Sequence, residues 1–432
     1  MNRGNSFRRN VFAAFVVLGM LFAAVVGATV KLYTVSAEDY PSEVESMDIS
    51  KQRALEKAVK KAKKEAGVYL KTYSRSVNSE LTDDEIIAIT SNSYKIVGEP
   101  KFTREIVNHS DETSIIVWKV NVDVQVDDSE IQSWLKRDDK EKSTIISQTR
   151  EINKASDENE RQIEDLREKY NRATSQVEKD KIIKQMNDTD REFLANQKVE
   201  EAEKLYYAKD YNGAIKLYNE AIKLNINNSL AYYVRGSAYD ELKQYEIAIK
   251  DYDKAIQLNP NYAEAYNNRG FAYNNLGQYE LAIQDCNMAI KLNQNLAEAY
   301  NNRGNAYNEL GKYELAIFDL NKAIQLNPNL SVAYNNRGLA YSYIEKYDRA
   351  LVDLDKAIQL NPNLFIAYNN RGIVHVALKQ YELAIFDFDK AIQFNVDNVL
   401  TYLFRSLCYQ QLGYTAKAQA DFAKAKELGY NG

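Results

Sequence analysis

The chain has 432 residues, enough for two to four ordinary domains, and its 45% hydrophobic and 27% charged residues are the balance of a soluble protein that can bury a core. A net charge of −5 argues against a nucleic-acid partner, and residues 195–432 hold 25 Lys and Arg against 27 Asp and Glu, leaving no basic groove there. The 32 Tyr beside only 5 Pro point instead to a repeated, aromatic-rich helical unit.

Residues 11–30, VFAAFVVLGMLFAAVVGATV, carry no charge and follow Arg3, Arg8 and Arg9. The run reaches the ~20 residues that span a bilayer, and the arginines ahead of it, with only Lys31 just behind, favour a cytoplasmic N-terminus and an exported remainder. Val35 and Ala37 in TVSAED form a small-residue pair of the kind signal peptidase cuts after. Residues 1–37 therefore read as a signal or anchor segment, and an apolar run longer than the ~7–15 residues of a signal core leans toward the anchor. The membrane is the first implied partner.

Ser50 to Tyr73 reads as an amphipathic helix, because Ala54, Ala58, Ala62, Ala66 and Leu70 recur every four residues. Its other face carries Lys57, Lys60, Lys61, Lys63 and Lys64, either a solvated face or a surface for anionic lipid or an acidic partner. Thr82 and Glu85 in TDDE have capping-box spacing for a second helix. Then the period becomes two: residues 101–107 and 114–126 flank NHSDET, and Val120, Val122, Val124 and Val126 alternate with polar residues, which predicts a hairpin with one buried face. Helix, helix and hairpin make a small α+β domain over 48–128. From its Ala-rich helix, the V–G pair in KIVGEP and the Val-alternating strand, this region resembles the small envelope domain of FlgT-type flagellar assembly proteins and related bacterial lipoproteins. The resemblance implies an extracytoplasmic address and carries no site residues.

Residues 129–194 are dominated by charge, and Ile163, Leu166, Tyr170, Ala173 and Val177 step 3, 4, 3, 4 as a short heptad seam. The segment is expected to be a charged helical spacer or helical hairpin, with a dimerising coiled coil as the alternative.

From residue 195 a 34-residue period gives seven units: 195–228, 229–262, 263–296, 297–330, 331–364, 365–398 and 399–432. One alanine column runs from Ala214 through Ala316 to Ala418 and another from Ala221 through Ala323 to Ala425. Gly236, Gly270, Gly304, Gly338 and Gly372 let paired helices approach closely, and Tyr232, Tyr266, Tyr300, Tyr334, Tyr368 and Tyr402 fill the space between neighbours. Pro260, Pro328 and Pro362 end second helices. With this aromatic, Gly, Tyr, Ala and Pro pattern the segment resembles the tetratricopeptide repeat. The resemblance implies a mainly α fold, a seven-repeat α-solenoid, and a protein-binding scaffold in place of an enzyme. Cys286, Cys408 and His375 fall at packed helical positions and read as core residues, not as ligands or a disulfide.

Two sets of residues stand out in the repeats. Asn267, Asn301, Asn335 and Asn369 form one row and Asn268, Asn302, Asn336 and Asn370 a second, with Asn305 and Asn308 on the same stripe of their helix. A carboxamide offers a donor and an acceptor as a peptide group does, so such rows are expected to line the concave groove and hold an extended peptide by its backbone; local capping or solvation is the alternative. The second set pairs Arg235 with Asp251, Arg269 with Asp285, Arg303 with Asp319, Arg337 with Asp353, Arg371 with Asp387 and Arg405 with Asp421, each 16 residues apart, and both members are missing from the first unit. Sixteen residues carry the chain round one turn to the antiparallel mate, so these read as structural ion pairs. No nucleophile set, phosphate loop or metal-ligand cluster is present in the sequence, and no cofactor is expected. The expected function is a membrane-associated, extracytoplasmic scaffold that binds protein or extended-peptide partners. The alternatives are a structural part of a bacterial envelope or flagellar-type assembly, and a substrate-recruiting subunit of an envelope enzyme.

Overall fold

The alternation of Val120, Val122 and Val124 puts three side chains on one buried strand face while Asn121 between them stays exposed. The strand belongs to a computed structural model that describes residues 30–39, 47–76, 81–108, 114–127, 129–137 and 139–430. These fall into two compact units, 30–137 with 148–193, and 139–147 with 194–430.

In the first unit, β3 (Ser114–Asp127) pairs antiparallel with β2 (Lys95–Asn108) to form the expected hairpin. A third strand, β1 (Val30–Asp39), pairs antiparallel along the other edge of β3, with Tyr33 opposite Val124 and Val35 opposite Val122. The domain expected over 48–128 therefore starts at residue 30, and the C-terminal end of the expected 1–37 segment is sheet. Residues 11–29 of the expected membrane segment lie outside the described residues. Among the described residues no helix is long and apolar enough to cross a membrane. Helix α1 (Met47–Ser76) buries Ala54, Ala58, Ala62, Ala66 and Leu70 completely and packs on β1 and β3. Helix α2 (Asp83–Asn92) starts with a capping box, the Glu85 N–H donating to Thr82 Oγ1 and the Thr82 N–H donating to Glu85 Oε2.

A short helix α3 (Ser129–Leu135) precedes two long ones, α4 (Asp139–Arg172) and α5 (Gln176–Tyr207). Ile163, Leu166 and Ala173 of the expected heptad seam pack against Ile182 and Met186, with Tyr170 alongside, so the seam is closed by the chain's own return helix. Val177, the fifth seam residue, is 82% exposed, and the Asn159 amide donates across the hairpin to the Thr189 carbonyl at 2.9 Å. Residues 148–193 pack as a helical hairpin that charged groups bind into the first unit. Arg53 meets Asp190 at 2.7 Å with both side chains buried, and Arg167 meets Asp39 at 3.1 Å. Asp39 is fully buried; burial works against its charge, but Arg167, Lys57 and the Ser50 hydroxyl outweigh that and hold its carboxyl below the usual range. The lysine face of α1 is partly spent in the same way, Lys57 on Asp39 and Glu160, and Lys60 on Asp157 and Glu160.

The second unit is a run of helix pairs. The end of α5 and α6 (Tyr211–Leu224) form the first pair, followed by α7 (Ser229–Glu241) with α8 (Tyr245–Leu258), α9 (Ala263–Asn275) with α10 (Tyr279–Leu292), and α11 (Ala297–Glu309) with α12 (Tyr313–Leu326). Then come α13 (Ser331–Tyr343) with α14 (Tyr347–Leu360), α15 (Phe365–Ala377) with α16 (Tyr381–Phe394), and α17 (Val399–Gln411) with α18 (Thr415–Glu427). Each pair turns through one left-handed residue, Gly311 at φ 69° in the fourth unit and Lys379 at φ 59° in the sixth. The second helices of the first six pairs end on an asparagine whose side chain accepts from the backbone two residues on, as Asn293 does from Asn295. Close approach within a pair explains the glycine column, since a Cβ on Gly304 would stand 2.8 Å from Leu320 Cγ. Cys286 and Cys408 are buried free thiols.

Candidate peptide-binding groove

The Asn rows form a hydrogen-bonded wall. Asn302 donates its amide to Asn267 Oδ1 at 3.0 Å, Asn336 to Asn301 at 3.0 Å and Asn370 to Asn335 at 2.9 Å, so the second Asn of each pair reaches back 35 residues to the first Asn of the preceding repeat. Within pairs, Asn267 donates to Asn268 Oδ1 and Asn335 to Asn336 Oδ1, both at 3.1 Å. The rows end on hydroxyls: Asn268 donates to Tyr233 and Ser237, and Asn369 accepts from Thr401. Asn308 is buried and donates to the Asn336 carbonyl, as Asn274 does to the Asn302 carbonyl, both at 2.8 Å. Asn305 alone of the ten expected groove residues has no side-chain partner among the described residues. Most of this amide chemistry is thus consumed in holding repeats together; Asn302, Asn336 and Asn370 each spend one of two N–H donors on the wall and keep the other.

The Arg and Asp columns meet in all six units. In the fourth, Arg303 Nε and Nη2 donate to both oxygens of Asp319 at 2.7 Å, a two-pronged pair with Asp319 2% and Arg303 17% exposed. Tyr300 stacks its ring 5.6 Å from the guanidinium. The sequence reading missed the third partner. Arg303 Nη1 donates to Asn287 of the preceding repeat at 2.5 Å, and Arg337 and Arg371 do the same to Asn321 and Asp355 at 2.6 Å. Each arginine therefore joins its own repeat to the one before it. A second column 16 residues upstream, always Asn or Asp, was the available signal. At Arg269, burial opposes the charge, but the carboxylates of Asp285 and Asp253 outweigh it and hold the proton more firmly than on free arginine.

The first repeat departs from this scheme. Glu203, 2% exposed, accepts from the Tyr218 hydroxyl at 2.5 Å, and its second oxygen has no partner. Burial pushes its carboxyl up to about 8, against the pull of the Tyr218 hydrogen bond.

Facing the wall is a cavity of about 320 Å³ whose lining includes Asn267, Asn268, Asn301, Asn302, Asn305, Asn335 and Asn336, but not Asn308, Asn369 or Asn370. The first turns of α4 contribute Ser143, Thr144 and Ser147 to the same lining. Ser143 donates to Glu298 Oε1 at 2.8 Å, and the Ser147 and Tyr233 hydroxyls lie 3.1 Å apart.

Family models described as Tetratricopeptide repeat match residues 217–250, 263–296, 297–330, 331–364, 365–398 and 400–428, and one described as TPR repeat matches 236–277. No curated protein matches the chain. Among solved structures, the chain is similar to a tetratricopeptide repeat protein from Parabacteroides merdae at 21% identity and TM-score 0.45, covering 55% of this chain and 94% of that one. It is also similar to a chain of the APC/C hetero-tetramer Cut9–Hcn1 at 17% identity and TM-score 0.47, covering 50% of this chain but spanning only 42% of that one. A third similarity is to YrrB, described as a TPR protein with an unusual peptide-binding site, at 24% identity and TM-score 0.33, covering 43% of this chain and 95% of that one. The family models match only within 217–428, and none of these comparisons supports the envelope-domain resemblance of the N-terminal region. The helix pairs within 217–428 are tetratricopeptide repeats, a fold that mediates protein–protein interactions.

Proposed function

We propose that the chain is a non-enzymatic, membrane-associated scaffold working outside the cytoplasm, which gathers protein partners by holding extended segments in the groove of its repeats. The observation that carries this reading is the cavity against the Asn wall, whose lining includes the unpaired Asn305 amide. The address rests on the apolar run at 11–30 behind Arg3, Arg8 and Arg9. Strand β1 favours anchor over cleaved signal: cutting after Ala37 would remove most of a strand whose Val35 is buried. The test is an Asn305→Arg variant of the full chain, which fills the cavity without touching the wall. Partners cross-linked and recovered from washed membranes with the wild-type chain should be lost with the variant, while a reporter fused after Gly432 is active only outside the cytoplasm. Unchanged recovery, or reporter activity in the cytoplasm, would sink the corresponding half of the reading.

A further inference from the structure

The lining of the groove is not evenly composed. Its charged members are Asp240, Glu241, Glu264 and Glu298, with no Lys or Arg among them. The column that runs along it at 34-residue steps reads Glu264, Glu298, Val332, Ile366, acidic over the third and fourth repeats and apolar over the fifth and sixth. Between the acids, Asn274 is 9% exposed and commits its N–H to the Asn302 carbonyl, and its buried Oδ1 has no partner. A row of carboxylates calls for donors and positive charge on whatever lies there.

Repeat spacing fixes the ligand's own period. Packed helices stand ~8–10 Å apart and an extended chain advances ~3.3 Å per residue, so side chains about three residues apart meet the same column on successive repeats. We infer that the groove selects a cationic, amphipathic extended segment: Lys or Arg at two positions three apart, followed along the groove by two apolar residues at the same interval. This deepens the scaffold reading and rests on it. The chain's own Ser143 hydroxyl already sits on Glu298, showing that the carboxylate is within reach of a donor in the cavity. A lysine there replaces a neutral donor by a cationic one and adds opposite charge to a hydrogen bond that the carboxylate already accepts.

Binding to the full chain can be followed by fluorescence anisotropy with the labelled decapeptide Lys-Ser-Gly-Lys-Ser-Gly-Val-Ser-Gly-Ile, its reversed sequence, and counterparts carrying Glu for Lys. One direction of the lysine peptide should bind, its Glu counterpart at least tenfold more weakly, and the affinity should fall tenfold or more in Glu264→Gln/Glu298→Gln, which keeps acceptors but removes charge. Raising salt should weaken the lysine peptide and spare the double variant. Equal binding of Lys and Glu peptides, or no loss in the double variant, overturns the charge selection and leaves the groove reading standing. No binding by any peptide overturns both.

Discussion

The two units use buried charge in opposite ways. In the first, each tie is singular and spans a long stretch of chain: Arg53 to Asp190 over 137 residues and Arg167 to Asp39 over 128. In the second, the same chemistry is divided into small equal parts, each arginine 16 residues from both of its partners and each amide 35 residues from its neighbour. A single deletion should therefore be worst where the tie is unique. Among repeats, the loss should stay with the nearest neighbours, whose coupling is pairwise.

The strongest break is Asp39→Ala, which removes the buried carboxylate that Arg167 and Lys57 share, although Lys57 keeps Glu160, and should cost about 3 kcal/mol. Hydrogen exchange should show β1 losing protection while the central repeats keep theirs. Simultaneous loss in both units would show that they do not unfold separately. Smaller is the effect of Asp319→Leu, expected near 3 kcal/mol at most because Arg303 retains Asn287 and some solvent. The Arg303→Leu/Asp319→Leu pair should cost much less than the two single changes summed, as read by chemical denaturation; simple additivity would mean uncoupled charges. The smallest effect belongs to Glu203, where neither scheme operates. Its folded value of about 8 lies above the unfolded 4.5, so the native state binds this proton more tightly. The contribution is then fully present below pH 4.5 and lost as pH rises to about 8. Glu203→Gln should remove that slope and leave the variant more stable at pH 9 by on the order of 1–3 kcal/mol. Urea midpoints that do not diverge between pH 5 and pH 9 would disprove the assignment.

The repeats were legible because each position is written seven times, so a column such as Gly236 to Gly372 separates packing from accident. The 16-residue partnership was visible for the same reason, since both members vanish together in the first unit. What the rows of asparagine bonded to was not visible: an amide that can serve a ligand's backbone serves a neighbouring amide equally well, and only the structure places Asn302 against Asn267. Glu203 was hidden because one buried acid in an atypical repeat has no column to compare with. In the first unit, β1 follows directly on an apolar run, so its alternation of Tyr33 and Val35 was absorbed into the expected membrane segment. The heptad of α4 was ambiguous in principle, because a seam seeks any apolar partner and Ile182 and Met186 of the same chain supply one.

The backward reach of Arg303 to Asn287 and of Asn302 to Asn267 has a consequence for how such a chain can change length. Every internal repeat presents the acceptor its successor needs and the donor its predecessor needs. If residues 297–330 were excised as a block, Asn336 would find Asn267 where it had found Asn301, and Arg337 would find Asn287 in place of Asn321. Gene duplication or loss of one 34-residue block thus leaves no orphaned group at the join, and the array can be lengthened or shortened by recombination without redesigning its joints.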